Sequence, residues 1–223
     1  SLAYTPGVAA VCEAIHERPS QAKELTVIGN SIAVVTDGSA VLGLGSIGAA
    51  ASKPVMEGKG VLFKKFAGID VFDLEVDAED PDAFVDTVAR LEPGFGGFNL
   101  EDIRAPECFR IEEELRARCT VPVMHDDQHG TAIISGAALL NAAALVDKRL
   151  DELSVVMIGG GAAGIATARF YVSLGVRRDA IVVIDRDGPV RRGEREEDDA
   201  LAEFATDRPV DGLRDALVGA DVL

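Results

Sequence analysis

The segment Gly159-Gly-Gly-Ala-Ala-Gly164 restricts what this chain can fold into more than any other. An apolar run, Leu153 to Ile158, leads into it, and an Ala-rich helical stretch, Ala162 to Leu174, leads out. A second apolar run ends in an acid, Asp185, about 20 residues after the last of these glycines. Taken alone, G-x-G-x-x-G is a weak pattern. Between a strand and a helix, and trailed by an acid, it reads as a βαβ unit shaped for a dinucleotide. Gly159 and Gly161 permit a tight turn and close approach to a pyrophosphate, and Gly164 lets helix and strand pack. Ala162 and Ala163 open the helix, whose free N–H groups favour anions. A carboxylate at Asp185 accepts from ribose hydroxyls and leans the choice toward NAD. The adjacent Arg186 leans toward the 2′-phosphate of NADP.

Upstream, apolar runs alternate with helical patterns, as in α/β folds. Strands are predicted at Ser31 to Thr36, Val61 to Phe66, Asp70 to Val76, Gly96 to Leu100 and Val121 to Met124. Helices are predicted at Pro81 to Leu91, Glu107 to Cys119 and Gln128 to Leu145, and near Asp199 to Ala205 and Leu213 to Leu217, and a last strand begins at Ala220. The expected domains are residues 1–130 and 131–223.

Two acidic pairs stand at strand-to-helix switches in the first of these domains: Glu101-Asp102 and Asp126-Asp127. A single such pair is read most simply as helix capping. Two pairs together read as oxygen ligands for a hard cation, because adjacent like charges are tolerated beside a positive one. His125 and His129 flank the second pair, but a hard cation with a full oxygen set has little use for imidazole.

Composition removes several classes. A net charge of −16 argues against nucleic acid and anionic membranes as partners. No apolar stretch reaches membrane-spanning length. Three cysteines without paired spacing fit a reducing cytoplasm. Six lysines against 38 acidic residues fit either adaptation to high salt or a simply acidic protein.

Five segments then carry a resemblance. They are Leu2-Ala-Tyr-Thr-Pro-Gly-Val-Ala9, Val35 to Gly45, Lys53 to Gly68, Leu100-Glu-Asp-Ile-Arg-Ala-Pro-Glu-Cys-Phe109 and Pro122 to Ile133. In this order they resemble the prokaryotic NAD(P)-dependent malic enzymes, nearly from end to end. The resemblance implies an N-terminal α/β malic-enzyme domain followed by a Rossmann-type domain, incomplete here because the chain starts inside a motif and stops at Leu223. It implies oxidative decarboxylation of malate to pyruvate, with NAD or NADP as acceptor and Mg²⁺ or Mn²⁺ held by Glu101, Asp102 and Asp127. It implies Lys59 as base, Tyr4 as the acid that protonates the enolate, and Asp126 as the partner of Lys59; Thr131 and Asn141, on the helix after Asp127, are placed to approach the nicotinamide half of the cofactor. It also implies a homodimer or higher oligomer joined through the N-terminal half. Two competing readings remain: a nucleotide-binding remnant without catalysis, and a 2-hydroxyacid dehydrogenase that does not decarboxylate.

Overall fold

A computed structural model describes residues 1, 3–41, 43–195 and 199–223. Residues 196–198 of the acidic loop Glu194 to Asp199 lie outside the described set. The chain divides into two compact units, Ser1–Met124 and His125–Leu223. The division falls ahead of the boundary expected after residue 130.

The first unit starts with two short helices, α1 (Ala9–Glu17) and α2 (Ala22–Leu25). Its sheet is built from β1 (Ser31–Thr36), β2 (Asp70–Glu75), β3 (Phe98–Leu100) and β4 (Val123–His125), in the order β2-β1-β3-β4. β1 pairs in parallel with β2 and with β3, Ala33 lying opposite both Phe72 and Phe98. The parallel pairings require crossovers. These are α3 (Ala49–Ala67), α4 (Pro81–Leu91) and α5 (Glu107–Arg118). Asp80 caps α4 as its position predicts, its side chain accepting the Asp82 N–H at 3.0 Å. The core is apolar and closed: Val34, Val35, Met56, Phe84, Val88, Leu100 and Leu115 are fully buried.

The strand predicted at Val61 to Phe66 is instead the last part of α3. Only one of its six residues is β-branched, and Leu62, Lys64 and Lys65 are good helix formers. Gly60, just ahead of this segment, serves packing. A Cβ there would stand 3.3 Å from the Val71 side chain, so its absence lets α3 lie close on β2. The helix ends at Gly68, whose φ of 72° is costly for other residues.

The second unit begins with α6 (Asp126–Leu145), followed by β5 (Val155–Ile158), α7 (Ala162–Leu174), β6 (Ile181–Asp185), β7 (Gly188–Pro189) and α8 (Leu213–Ala216). β5 and β6 are parallel, and β7 folds back antiparallel on β6. Val222 forms a parallel bridge with Val155, where the sequence predicts a further strand. The helix expected near Asp199 to Ala205 is only a 3₁₀ turn, Ala202–Phe204. Its Phe204 is buried and the turn is too short for an α-helical ladder. α6 and α7 pack at Gly136, where a Cβ would meet the Phe170 ring at 2.4 Å. Among the described residues no helix is long and apolar enough to cross a membrane.

Candidate functional site

β3 and β4 are neighbours, and both acidic pairs follow their carboxyl ends. Glu101 and Asp102 leave β3, and Asp126 and Asp127 form the first turn of α6 directly after β4. Glu101 and Asp102 are each 5% exposed. Carboxylates buried side by side are costly unless positive charge offsets them. Lys59, on α3, supplies one such charge, with Nζ 2.9 Å from Glu101 Oε1. The other oxygen, Oε2, accepts the Asn99 amide N–H at 2.9 Å.

The loop after β1 fixes this turn. Ala40 N–H donates to the Asp102 carbonyl at 2.9 Å, and Arg104 N–H donates to Ser39 Oγ at 2.9 Å. Ser39 is itself held by Asp37, whose Oδ1 accepts from the Ser39 amide at 2.9 Å and from its hydroxyl at 2.5 Å. Asp102 has a φ of 54°, a conformation that is strained for a non-glycine residue and recurs at functional sites.

Glu101, Asp102 and Asp127 each present one carboxylate oxygen, and these oxygens lie within 4.8 Å of one another. A small divalent cation with oxygens at about 2.1 Å separates opposite ligands by about 4.2 Å. The all-oxygen donor set is of the kind that suits hard divalent cations such as Mg²⁺ or Mn²⁺. His125 is fully buried with Nε2 3.9 Å from Asp127 Oδ2, so it backs the acid from inside. The Asp126 carboxylate lies over Gly130: a Cβ there would come within 2.6 Å of Asp126 Oδ1.

Tyr4 differs from these groups in its exposure. It is 75% exposed, in the turn ahead of α1, with its carbonyl accepting the Val8 N–H at 3.0 Å.

In the second unit the Gly-rich turn has the expected shape. Gly159 has a φ of 100°, and a Cβ on Gly164 would stand 2.0 Å from the Gly159 carbonyl oxygen. Neither position takes a side chain. A Cβ at Gly161 would meet nothing within 4 Å, which leaves room in front of the turn. No side chain caps α7, so the first amides of the helix, at Ala162, Ala163 and Gly164, are available to an anion. Asp185 ends β6 and its Oδ1 accepts the Gly160 N–H at 3.2 Å. Arg186 is exposed beside it. Thr131 lines a cavity of about 340 Å³ together with Ala163, Gly164 and Thr167. A dinucleotide fits this turn on the glycine geometry alone. A larger cavity, about 870 Å³, lies by Arg177, Arg178 and Arg208 and touches none of these residues.

Sequence reasoning missed Asn99, Gly130 and Arg195. Asn99 carried a signal, a polar residue inside the apolar run Phe98 to Leu100. Gly130 and Arg195 carried none, because their importance lies in what folds against them.

A partly buried lysine paired with a buried carboxylate, three carboxylates that follow two strand ends, and a Gly-rich βα turn thus occur together in a chain of the α/β class. The family model for the malic enzyme N-terminal domain matches residues 1–81 and 78–116. This chain belongs to the malic enzyme family. Over its whole length it is 56% identical to the NADP-dependent malic enzyme of Escherichia coli (strain K12) and 54% identical to the NAD-dependent malic enzyme of Rhizobium meliloti (strain 1021). It spans 30% and 29% of those two proteins. The crystal structure of the NAD-dependent malic enzyme from Thermotoga maritima matches all of this chain with a TM-score of 0.92 at 44% identity, and the chain covers 60% of it.

Proposed function

We propose that the protein oxidises malate to pyruvate and carbon dioxide, reducing a nicotinamide dinucleotide with the help of a divalent cation. The observation that carries this reading is the Lys59–Glu101 pair set beside the cluster of Glu101, Asp102 and Asp127. A cation in that cluster would supply a Lewis acid for the C2 oxygen of malate, and the dinucleotide would supply the hydride acceptor.

The chain's own residues do the rest. Lys59 Nζ, neutral once a bound cation offsets the carboxylates in its place, takes the proton of the C2 hydroxyl as C2 is oxidised. Asp126, seated over Gly130, orients that lysine. Decarboxylation leaves the enol of pyruvate, and the Tyr4 hydroxyl returns a proton to C3. The Gly159 to Gly164 turn and α7 hold the pyrophosphate, Asp185 and Arg186 the adenosine end, and Thr131 the nicotinamide half. An exposed Tyr4 does this work most simply at a subunit interface, so the proposed assembly is a homodimer formed through the N-terminal half. A monomeric mass by light scattering under assay conditions contradicts that assembly.

The test is stoichiometry. Incubated with malate, the intact protein should release one carbon dioxide for each NADH or NADPH formed. Reduction without carbon dioxide would mark a simple hydroxyacid dehydrogenase instead.

A further inference from the structure

The loop after β6 folds back onto the end of that strand. Asp185 Oδ1 takes the Gly160 N–H, and its Oδ2 lies 3.4 Å from Arg195 Nη2. Nη1 of the same guanidinium donates to Asp199 Oδ2 at 2.8 Å. Asp199 is anchored in turn, its Oδ1 accepting the Leu201 N–H at 2.8 Å. Arg195 is thus a cation held in place from behind, with 26% of its side chain exposed. The Asp199 hydrogen bond, and then the charges of Asp199, Asp185 and Asp187, outweigh burial and raise its pKa, so it stays charged.

A carboxylate at the end of this strand ordinarily selects unphosphorylated ribose, accepting from the diol and repelling a 2′-phosphate. Here both Asp185 oxygens already face donors of the chain itself, and the guanidinium beside it, shared with Asp199, reduces the negative charge at that point. A guanidinium carries five N–H donors, more than these two carboxylates take up, and its planar fork suits phosphate. We infer that Arg195 is a specificity-determining residue that admits a 2′-phosphate beside Asp185, so that this site takes NADP in preference to NAD. Arg186 adds a second, exposed cation on the same rim. The inference rests on the reading of the second unit as a dinucleotide site.

The test compares two probes that differ only in the 2′-phosphate. Adenosine 5′-monophosphate and adenosine 2′,5′-bisphosphate are titrated into the intact protein by calorimetry. The bisphosphate should bind about 10- to 100-fold more tightly, the scale of a charge-assisted contact. Arg195→Met should abolish that advantage while leaving the monophosphate affinity and the circular dichroism spectrum unchanged, and Arg195→Lys should restore part of it. Equal binding of both probes by the wild type overturns the inference alone, as does an equal loss of both in Arg195→Met. Failure of the wild type to bind either probe overturns the dinucleotide reading as well.

Discussion

Nζ of Lys59 lies 2.9 Å from Oε1 of Glu101, so the lysine that the family resemblance marks as the base is joined directly to one of the three clustered carboxylates. A helix residue and a strand-end residue 42 positions apart in sequence meet because α3 packs on β2, through the bare backbone of Gly60, and on β1, whose other neighbour is β3.

Lys59 and Tyr4 divide the two proton transfers, and their variants should separate them. Lys59→Ala should lower kcat by about 10² to 10⁴, the usual scale for a positioned base. Mn²⁺ and dinucleotide binding should survive, because the loss falls on the transition state. Tyr4→Phe should still reduce the dinucleotide while pyruvate release slows. Following NAD(P)H by absorbance and pyruvate by a coupled assay in the same samples checks both outcomes.

Asn99 holds the far oxygen of Glu101 inside the core, where both residues are 5% exposed or less. Asn99→Ala leaves that oxygen without its hydrogen bond, at a cost of about 1–3 kcal/mol. Thermal melting should show the destabilisation. Mn²⁺ titration should show weaker binding, since Glu101 is no longer pre-positioned. A variant that melts and binds Mn²⁺ like the wild type removes Asn99 from the account.

Gly130 makes the space that the Asp126 carboxylate occupies. Gly130→Ala places a Cβ within 2.6 Å of Oδ1 and must turn the acid away. Helix propensity favours alanine, so stability should hold or rise. Turnover should nevertheless fall, by up to about 10²-fold, as small misplacements at reacting groups do. Melting temperature and kcat measured together test this opposition.

Acid sensitivity has an identifiable source outside the site. The Thr120 hydroxyl, and then the Thr120 amide, donate to Glu92 and hold its carboxyl below the usual value of 4.5, against the effect of burial. These bonds tie the turn after α4 to the segment that enters β4. For a carboxyl with a lowered folded pKa, the stabilisation is present above its unfolded pKa and is lost as pH falls through the folded value. Glu92→Gln should therefore reduce stability at pH 7 and flatten its decline below about pH 4.5. Melting curves across that range, compared with wild type, decide it.

Much of this arrangement is legible in the sequence, and the remainder is not for physical reasons. β1 and β6 follow directly from their short apolar, β-branched runs, and α7 from its Ala-rich stretch between the glycine turn and Gly175. The α3 segment misleads because Val61 to Phe66, read by itself, resembles a strand, while it continues a helix that Gly60 lets lie close on β2. The three ligating candidates are visible as acids at strand ends, while their mutual distance depends on β3 and β4 being neighbours, which local pattern does not encode. The grip of Arg195 on Asp185 depends on how the loop after β6 folds back, and no residue within that loop announces it.

The most direct test of the central claim is metal dependence at the named carboxylates. The intact protein is stripped with a chelator and assayed with malate and NAD(P), with and without Mn²⁺. The account predicts that turnover is lost on stripping and restored by Mn²⁺ in the wild type. It also predicts that Asp127→Asn and Asp102→Asn need far more Mn²⁺ while retaining dinucleotide binding. Turnover that survives chelation, or variants that respond to Mn²⁺ as the wild type does, would contradict it.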